Sequence, residues 1–253
     1  MQRLKTTQNA GLAFQRLHAD TSGWAYSNWK PASCPKTVPT IKFLDHYATR
    51  LNSVAVNYTF RTLPSSAQLA GWLAAVGDDF RFSFKTPQTI THFKRLNDCD
   101  SAVTEFLASL APVREAGKMG CLLFQLPPNF KCNVERLKAF LDLPTMQGAG
   151  QVAFEFRNAS WFCEEVYSLL KDNDVAGCIA ESDDPATPES LTATFSCYRQ
   201  HMDGGYAAPA VTTFAKRFSK IAKTREIYVY FNHEDEPTGP LAAVQMLAEA
   251  RAL

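Results

Sequence analysis

Residues 120–128 read GCLLFQLPP. The run is apolar through Phe124, turns polar at Gln125 and is stopped by Pro127 and Pro128. A continuous apolar run of this length suits a strand buried on both faces, as strands of a parallel sheet are. Parallel neighbours need long crossovers, usually helical, and the flanking chain supplies them. Upstream, 98–117 predicts a long helix and downstream 133–143 predicts another. Earlier still, FRFSFK at 80–85 alternates strictly, with Phe80, Phe82 and Phe84 on one face. Further strands are expected at 17–21, 53–60, 152–157, 175–181, 193–199 and 226–231. Further helices are expected at 39–52, 66–76, 162–173, 211–223 and 241–252. The turn-rich segment 184–190 predicts no helix, so the crossover between strands six and seven is weak or missing.

Eight strands alternating with helices in 253 residues predict a single (β/α)8 TIM-like barrel. A doubly wound open sheet is the alternative, but no GxGxxG follows the first strand and no GxxxxGK[ST] occurs. The barrel domain is expected over 17–253, after a polar, loosely ordered leader at 1–16.

Composition narrows the function classes. The net charge of +1 and pI near 7.6 provide no global field to recruit nucleic acid or an anionic membrane, so nucleic acid is not favoured as a partner. Seven cysteines at 34, 99, 121, 132, 163, 178 and 197 form no CxxC pair. An odd number, several within apolar runs, reads as reduced core thiols rather than a disulfide framework or zinc site. No signal peptide and no membrane-length apolar run is seen, so a soluble, cytoplasmic protein is expected. Nothing in the sequence fixes an oligomeric state.

The stretch 150–162, GQVAFEFRNASWF, carries the sharpest chemistry. Strand alternation puts Glu155 and Arg157 on one face, with Phe154 and Phe156 on the other. Charges on the inner face of an apolar strand need a purpose. In a barrel the carboxyl ends of the strands share one mouth. Those ends deliver Trp24 and Tyr26, Asn57 and Thr59, Lys85, Gln125, Glu155 with Arg157, Asp183, Arg199 with His201, and Asn232. Eight polar or aromatic ends above apolar strand bodies point to a ligand pocket.

Lys85, Arg157 and Arg199 favour an anionic ligand such as a phosphate or carboxylate. The competing reading spends both arginines on Glu155 and Asp183. Those two carboxyls, on adjacent strands, suit acid–base hydrolysis. His201 would shuttle protons or join them on a divalent metal, although no strong metal motif is present. The candidate catalytic set is therefore Glu155, Asp183, His201 and Lys85. The candidate ligand-binding set is Trp24, Tyr26, Asn57, Thr59, His92, Gln125, Arg157, Trp161, Arg199 and Asn232. Trp24, Tyr26 and Trp161 would stack on a sugar or base, or else pack the barrel top, and His92 would belong to a lid. The expected partner is a small anionic or sugar-containing molecule.

Seven motifs occur in order: GWAYSNW, VNYTF followed shortly by LP, FSFKTPQTITH, QLPPNF, FEFRNASW, YRQH and YVYFN. In this order they resemble the YecE-like family (domain of unknown function 72) from about residue 22 to the C-terminus. The resemblance implies a TIM-like barrel and leaves the reaction open. The chain departs from the family pattern where it has Ala55 for a usual Glu, Arg61 for Tyr, Asn158 for His, Met202 for Gly and His233 for a second Asn. Loss of the carboxylate at position 55 keeps a non-catalytic ligand-binding barrel in play beside a hydrolase. Nucleic-acid processing is a third reading, and the neutral charge counts against it.

Overall fold

The computed structural model describes residues 14–181, 187–232 and 236–253. Nine strand segments occupy eight positions: β1 (Leu17–Thr21), β2 (Ser53–Val56), β3 (Arg81–Lys85), β4 (Met119–Gln125), β5 (Val152–Glu155), β6 (Ala176–Gly177), β7 (Ile179–Glu181), β8 (Phe195–Gln200) and β9 (Glu226–Phe231). All recorded pairings are parallel, in the orders β2-β3-β4-β5-β6 and β7-β8-β9-β1. β6 and β7 are halves of one strand interrupted at Cys178. Its first half registers with β5 and its second with β8, while the Cys178 N–H still donates to Phe154 O at 2.8 Å.

The helices are α1 (Phe43–Ala48), α2 (Ser66–Ala74), α3 (Asp100–Ser109), α4 (Ala111–Glu115), α5 (Val134–Leu141), α6 (Glu164–Asp172), α7 (Ala208–Ala222) and α8 (Thr238–Arg251). The protein is thus a TIM-like barrel. Among the described residues, the crossover from β7 to β8 holds no helix.

The ring meets itself between β1 and β2 without a backbone ladder, and side chains close this seam. The Asn52 amide accepts from Ala19 N–H at 3.1 Å and donates to Leu17 O at 2.8 Å. One residue on, Ser53 Oγ donates to the Asp20 carboxylate at 2.6 Å, and the Tyr47 hydroxyl accepts from Thr21 N–H at 3.0 Å.

Alternation sorts each strand between two cores. Val54, Phe82, Phe84, Leu122, Phe124, Phe154 and Val229 face the helices. Ala55, Cys121, Ala153, Cys178, Cys197 and Tyr230 fill the barrel interior. Ala55 therefore sits inside the barrel. Asp20 is buried in the same interior. Burial pushes its carboxyl well above the usual carboxylate range, and hydrogen bonds from Ser53 and the Ala55 backbone oppose the shift without overcoming it.

Local departures from the expected elements have physical causes. The helix expected over 98–117 is two helices, because Pro112 cannot continue a ladder through the junction at Leu110. The strand expected to reach Phe60 stops at Val56, and Tyr58–Phe60 coils into a 3-10 turn. There the Thr59 hydroxyl takes the carbonyls of Val56 (2.9 Å) and Lys85 (2.6 Å) as acceptors. The loop after β3 contains a π-helical turn, Thr89–Phe93. Ser65 and Gln68 cap α2 reciprocally, each side chain bonding the other's backbone N–H.

A candidate ligand site at the carboxyl mouth

Register places Gln125 directly beside Glu155, at the ends of β4 and β5. The Glu155 side chain is 2% exposed, yet it is fully engaged. Its Oε1 accepts from Gln125 Nε2 at 2.8 Å and lies 3.7 Å from an Arg157 guanidinium nitrogen. Its Oε2 is bound by Arg199. Burial alone would raise this carboxyl, but Arg199, Gln125 and Arg157 outweigh burial and hold it below the usual carboxylate range. In turn, desolvation of Arg199 is overcome by Glu155, so its guanidinium stays charged. Arg199 also donates through Nε and a terminal nitrogen to the Asn232 side-chain oxygen, at 3.0 and 2.7 Å, in the amide orientation that the hydrogen bonds assign. The other end of that amide meets the Ser22 hydroxyl.

One linked set therefore runs across the mouth from β4 through β5 and β8 to β9 and β1. Arg199 is 14% exposed and Arg157 40% exposed, so Arg157 is the member that reaches solvent. Both arginines converge on Glu155, which settles part of the expected pairing. Its other half, Asp183, lies outside the described residues.

The remaining expected residues divide. Lys85 ends β3, two strands from Glu155, with its ammonium 4.4 Å from the centre of the Phe60 ring. His92, on the π-helical turn, packs edge-on against the same ring at 4.9 Å and bonds the Thr91 hydroxyl at 2.9 Å. Burial, then the charges of Lys85 and Arg95, lower its pKa, so the imidazole is neutral at pH 7. His201 bonds the Asn232 carbonyl through Nδ1 at 3.1 Å, and Asp203 stands 4.0 Å from its other nitrogen. Among the described residues, no group of three His, Cys, Asp or Glu side chains is placed to hold a metal ion.

Trp161 is fully buried. Its indole N–H is given to Phe130 O at 2.7 Å and its ring is stacked on Phe156, so it packs the mouth from beneath. Thr59 is likewise buried and committed to backbone carbonyls.

Trp24 and Tyr26 border a cavity of about 260 Å³ with Ser22, Asn57, Tyr58, Gln68 and Trp72. Trp24 and Trp72 meet edge to face at 5.1 Å, and the Tyr26 hydroxyl donates to Ser22 O at 2.6 Å. Ser22 belongs to both the cavity and the arginine network. Sequence reading assigned Trp72 and Gln68 only to a helix. Their i,i+4 spacing, a tryptophan beside an amide on one face, is the signal that would have marked them.

A parallel eight-position barrel with a charged, hydrogen-bonded set at its carboxyl mouth defines a TIM-like barrel with a candidate small-molecule site. The chain belongs to the family described as "Protein of unknown function DUF72", which matches residues 18–252. It is 33% identical over 142 residues to UPF0759 protein YecE of Escherichia coli K12, covering 56% of this chain and 48% of YecE. It is 28% identical over 137 residues to UPF0759 protein YunF of Bacillus subtilis strain 168, covering 53% and 48%. The chain thus spans about half the length of the curated relatives it matches. The crystal structure of a DUF72 family protein from Thermotoga maritima superposes with a TM-score of 0.77 at 21% identity, covering 91% of this chain and 97% of that one. A DUF72 family protein from Enterococcus faecalis V583 gives 0.75 at 19%, covering 94% and 96%. At these identities the two structures speak to the fold alone. Among the described residues no helix is long and apolar enough to cross a membrane.

Proposed function

We propose that this chain binds a small anionic ligand at the carboxyl mouth, with a ring or sugar portion seated in the cavity of Trp24, Tyr58 and Trp72. The observation that carries the reading is a charge count. Two guanidiniums, Arg157 and Arg199, share one buried carboxylate, Glu155, among the described residues. The excess positive charge, on a half-exposed Arg157, suits a phosphate or carboxylate held by charge-assisted hydrogen bonds. Glu155 acts here as a positioning carboxylate, since it is anionic and its oxygens are occupied. The cavity, at about 260 Å³ and walled by indole and phenol rings, matches a single ring better than an extended chain.

Hydrolysis is the second reading, and a specific side chain favours it: the neutral imidazole of His92 beside Lys85 can accept a proton at pH 7.

Titration calorimetry with inorganic phosphate, sugar phosphates, nucleotides and their uncharged counterparts tests the proposal. Anionic compounds are expected to bind and Arg157→Gln to lose them with an unchanged melting temperature. Trp72→Ala is expected to weaken ring-bearing compounds and spare inorganic phosphate. Equal binding of charged and uncharged counterparts, or full binding by Arg157→Gln, would refute it.

A further inference from the structure

Five of the seven cysteines, 34, 99, 121, 178 and 197, are buried. The remaining two, Cys132 and Cys163, are partly exposed, and the Cys163 side chain is near enough to push the Cys132 thiol up. They come from different loops, Cys132 just before α5 and Cys163 at the N-cap of α6. Those loops follow the adjacent strands β4 and β5 and are already fastened together. Asn158 Nδ2 donates to Pro128 O at 2.8 Å, Trp161 Nε1 to Phe130 O at 2.7 Å, and Cys132 N–H to the Ser160 hydroxyl at 2.8 Å. Phe130 and Trp161 pack edge to face at 5.3 Å beneath these bonds. The accessible thiols of this chain are thus the ones that the loop packing brings together.

We propose that Cys132 and Cys163 form an oxidisable dithiol that closes reversibly to a disulfide across the β4 and β5 loops, with a low-molecular-weight disulfide of the glutathione type as oxidant. The Cys132 thiol is pushed up to about 11, by burial first and then by Cys163 and Glu165. It stays protonated at neutral pH, which assigns the first attack to the Cys163 sulfur. The Cys163 thiolate attacks one sulfur of the oxidant, forming a mixed disulfide and releasing one glutathione thiolate. The Cys132 sulfur then attacks the Cys163 sulfur, forming the protein disulfide and releasing the second glutathione thiolate. Two protein thiols lose two electrons, the oxidant is reduced to two thiols, and the two protein protons pass to them through water. The barrel pair Cys178 and Cys197, with sulfurs 3.2 Å apart, stands as a contrast, because both are fully buried in the interior.

The experiment exposes the folded full chain to graded ratios of oxidised to reduced glutathione, followed by alkylation in denaturant and mass measurement. The expected product is lighter by about two hydrogens, with five of seven thiols left to alkylate. It reverts on reduction and melts higher than the reduced form. Trypsin should yield residues 132–136 joined to residues 158–171, and Cys132→Ser or Cys163→Ser should remove that species. Seven alkylatable thiols at every ratio would overturn the proposal, as would a cross-link mapping to Cys178 and Cys197 or a stable glutathione adduct on Cys163 that never closes. The wild-type peptide map decides the matter even if a variant fails to fold.

Discussion

Replacing Glu155 with Gln tests what holds the mouth together. The carboxylate accepts on both oxygens, from Gln125 and Arg157 on one side and Arg199 on the other. An amide must turn its NH2 towards one of those donors, and it removes the carboxylate that neutralises a mostly buried Arg199 among the described residues. Breaking a buried pair by removing one partner costs about 3–5 kcal/mol. Arg199 is slightly exposed and keeps the Asn232 oxygen, so the lower end, about 3 kcal/mol, applies. For a chain of this size that is a fall in melting temperature on the order of 6–12 °C. The assay is denaturant unfolding at pH 7 of the wild type, Glu155→Gln, Arg199→Met and the double variant. The double variant should cost well under the sum of the singles, by about 2 kcal/mol. Because the folded-state pKa of Glu155 is lowered, its contribution is present above the unfolded-state value and lost as pH falls through the folded one. The Glu155→Gln deficit should therefore shrink towards acid. Additive single costs, to within about 0.5 kcal/mol, would refute the reasoning.

At the opposite end of the barrel, Glu226 accepts from His18 (2.8 Å) and Gln151 (2.7 Å). Burial would raise its pKa, but these bonds with the His18 charge and the Tyr228 hydroxyl bring it down to about 2 from 4.5. Wild-type stability should fall as pH drops from about 4.5 to about 2. Thermal scans of Glu226→Gln should show a flatter profile across that window, and an unchanged slope counts against the linkage. Gly23 has φ +101°, and a Cβ there would lie 2.9 Å from the Tyr26 hydroxyl oxygen. Gly23→Ala should cost about 1–3 kcal/mol of strain and weaken ring-bearing ligands more than phosphate, as read by melting and calorimetry.

Much of the barrel was legible because its signals are local. The run at 120–125 and the alternation at 80–85 need no partner to be read as strands, and β9 matches its expected bounds, 226–231. What escaped depends on contacts distant in sequence. Nothing around Thr59 announces that its hydroxyl will take the carbonyl of Lys85, 26 residues on, and end β2 early. The break at Cys178 falls where the strand's registered pairing passes from β5 to β8, a change no local pattern announces. At the mouth, the shared face of Glu155 and Arg157 was readable from period two. The choice of Arg199 as the principal partner of Glu155, 44 residues away, was visible only within the reading that spends both arginines on Glu155 and Asp183. For Trp161 the sequence left stacking on a ligand and packing of the barrel top open together, and only the contacts with Phe130 and Phe156 show the ring packed.

The seam between β1 and β2 gives this barrel a genetic vulnerability that its ladders lack. A backbone ladder survives nearly any side chain, whereas the Asn52 clasp is written in a single codon. Losing the amide removes two of the seam's bonds and leaves it to Ser53, Asp20 and Tyr47, and a strand edge freed of its partner invites pairing with other chains. A conservative-looking change at a residue far from the mouth would then act by promoting self-association rather than by altering ligand chemistry.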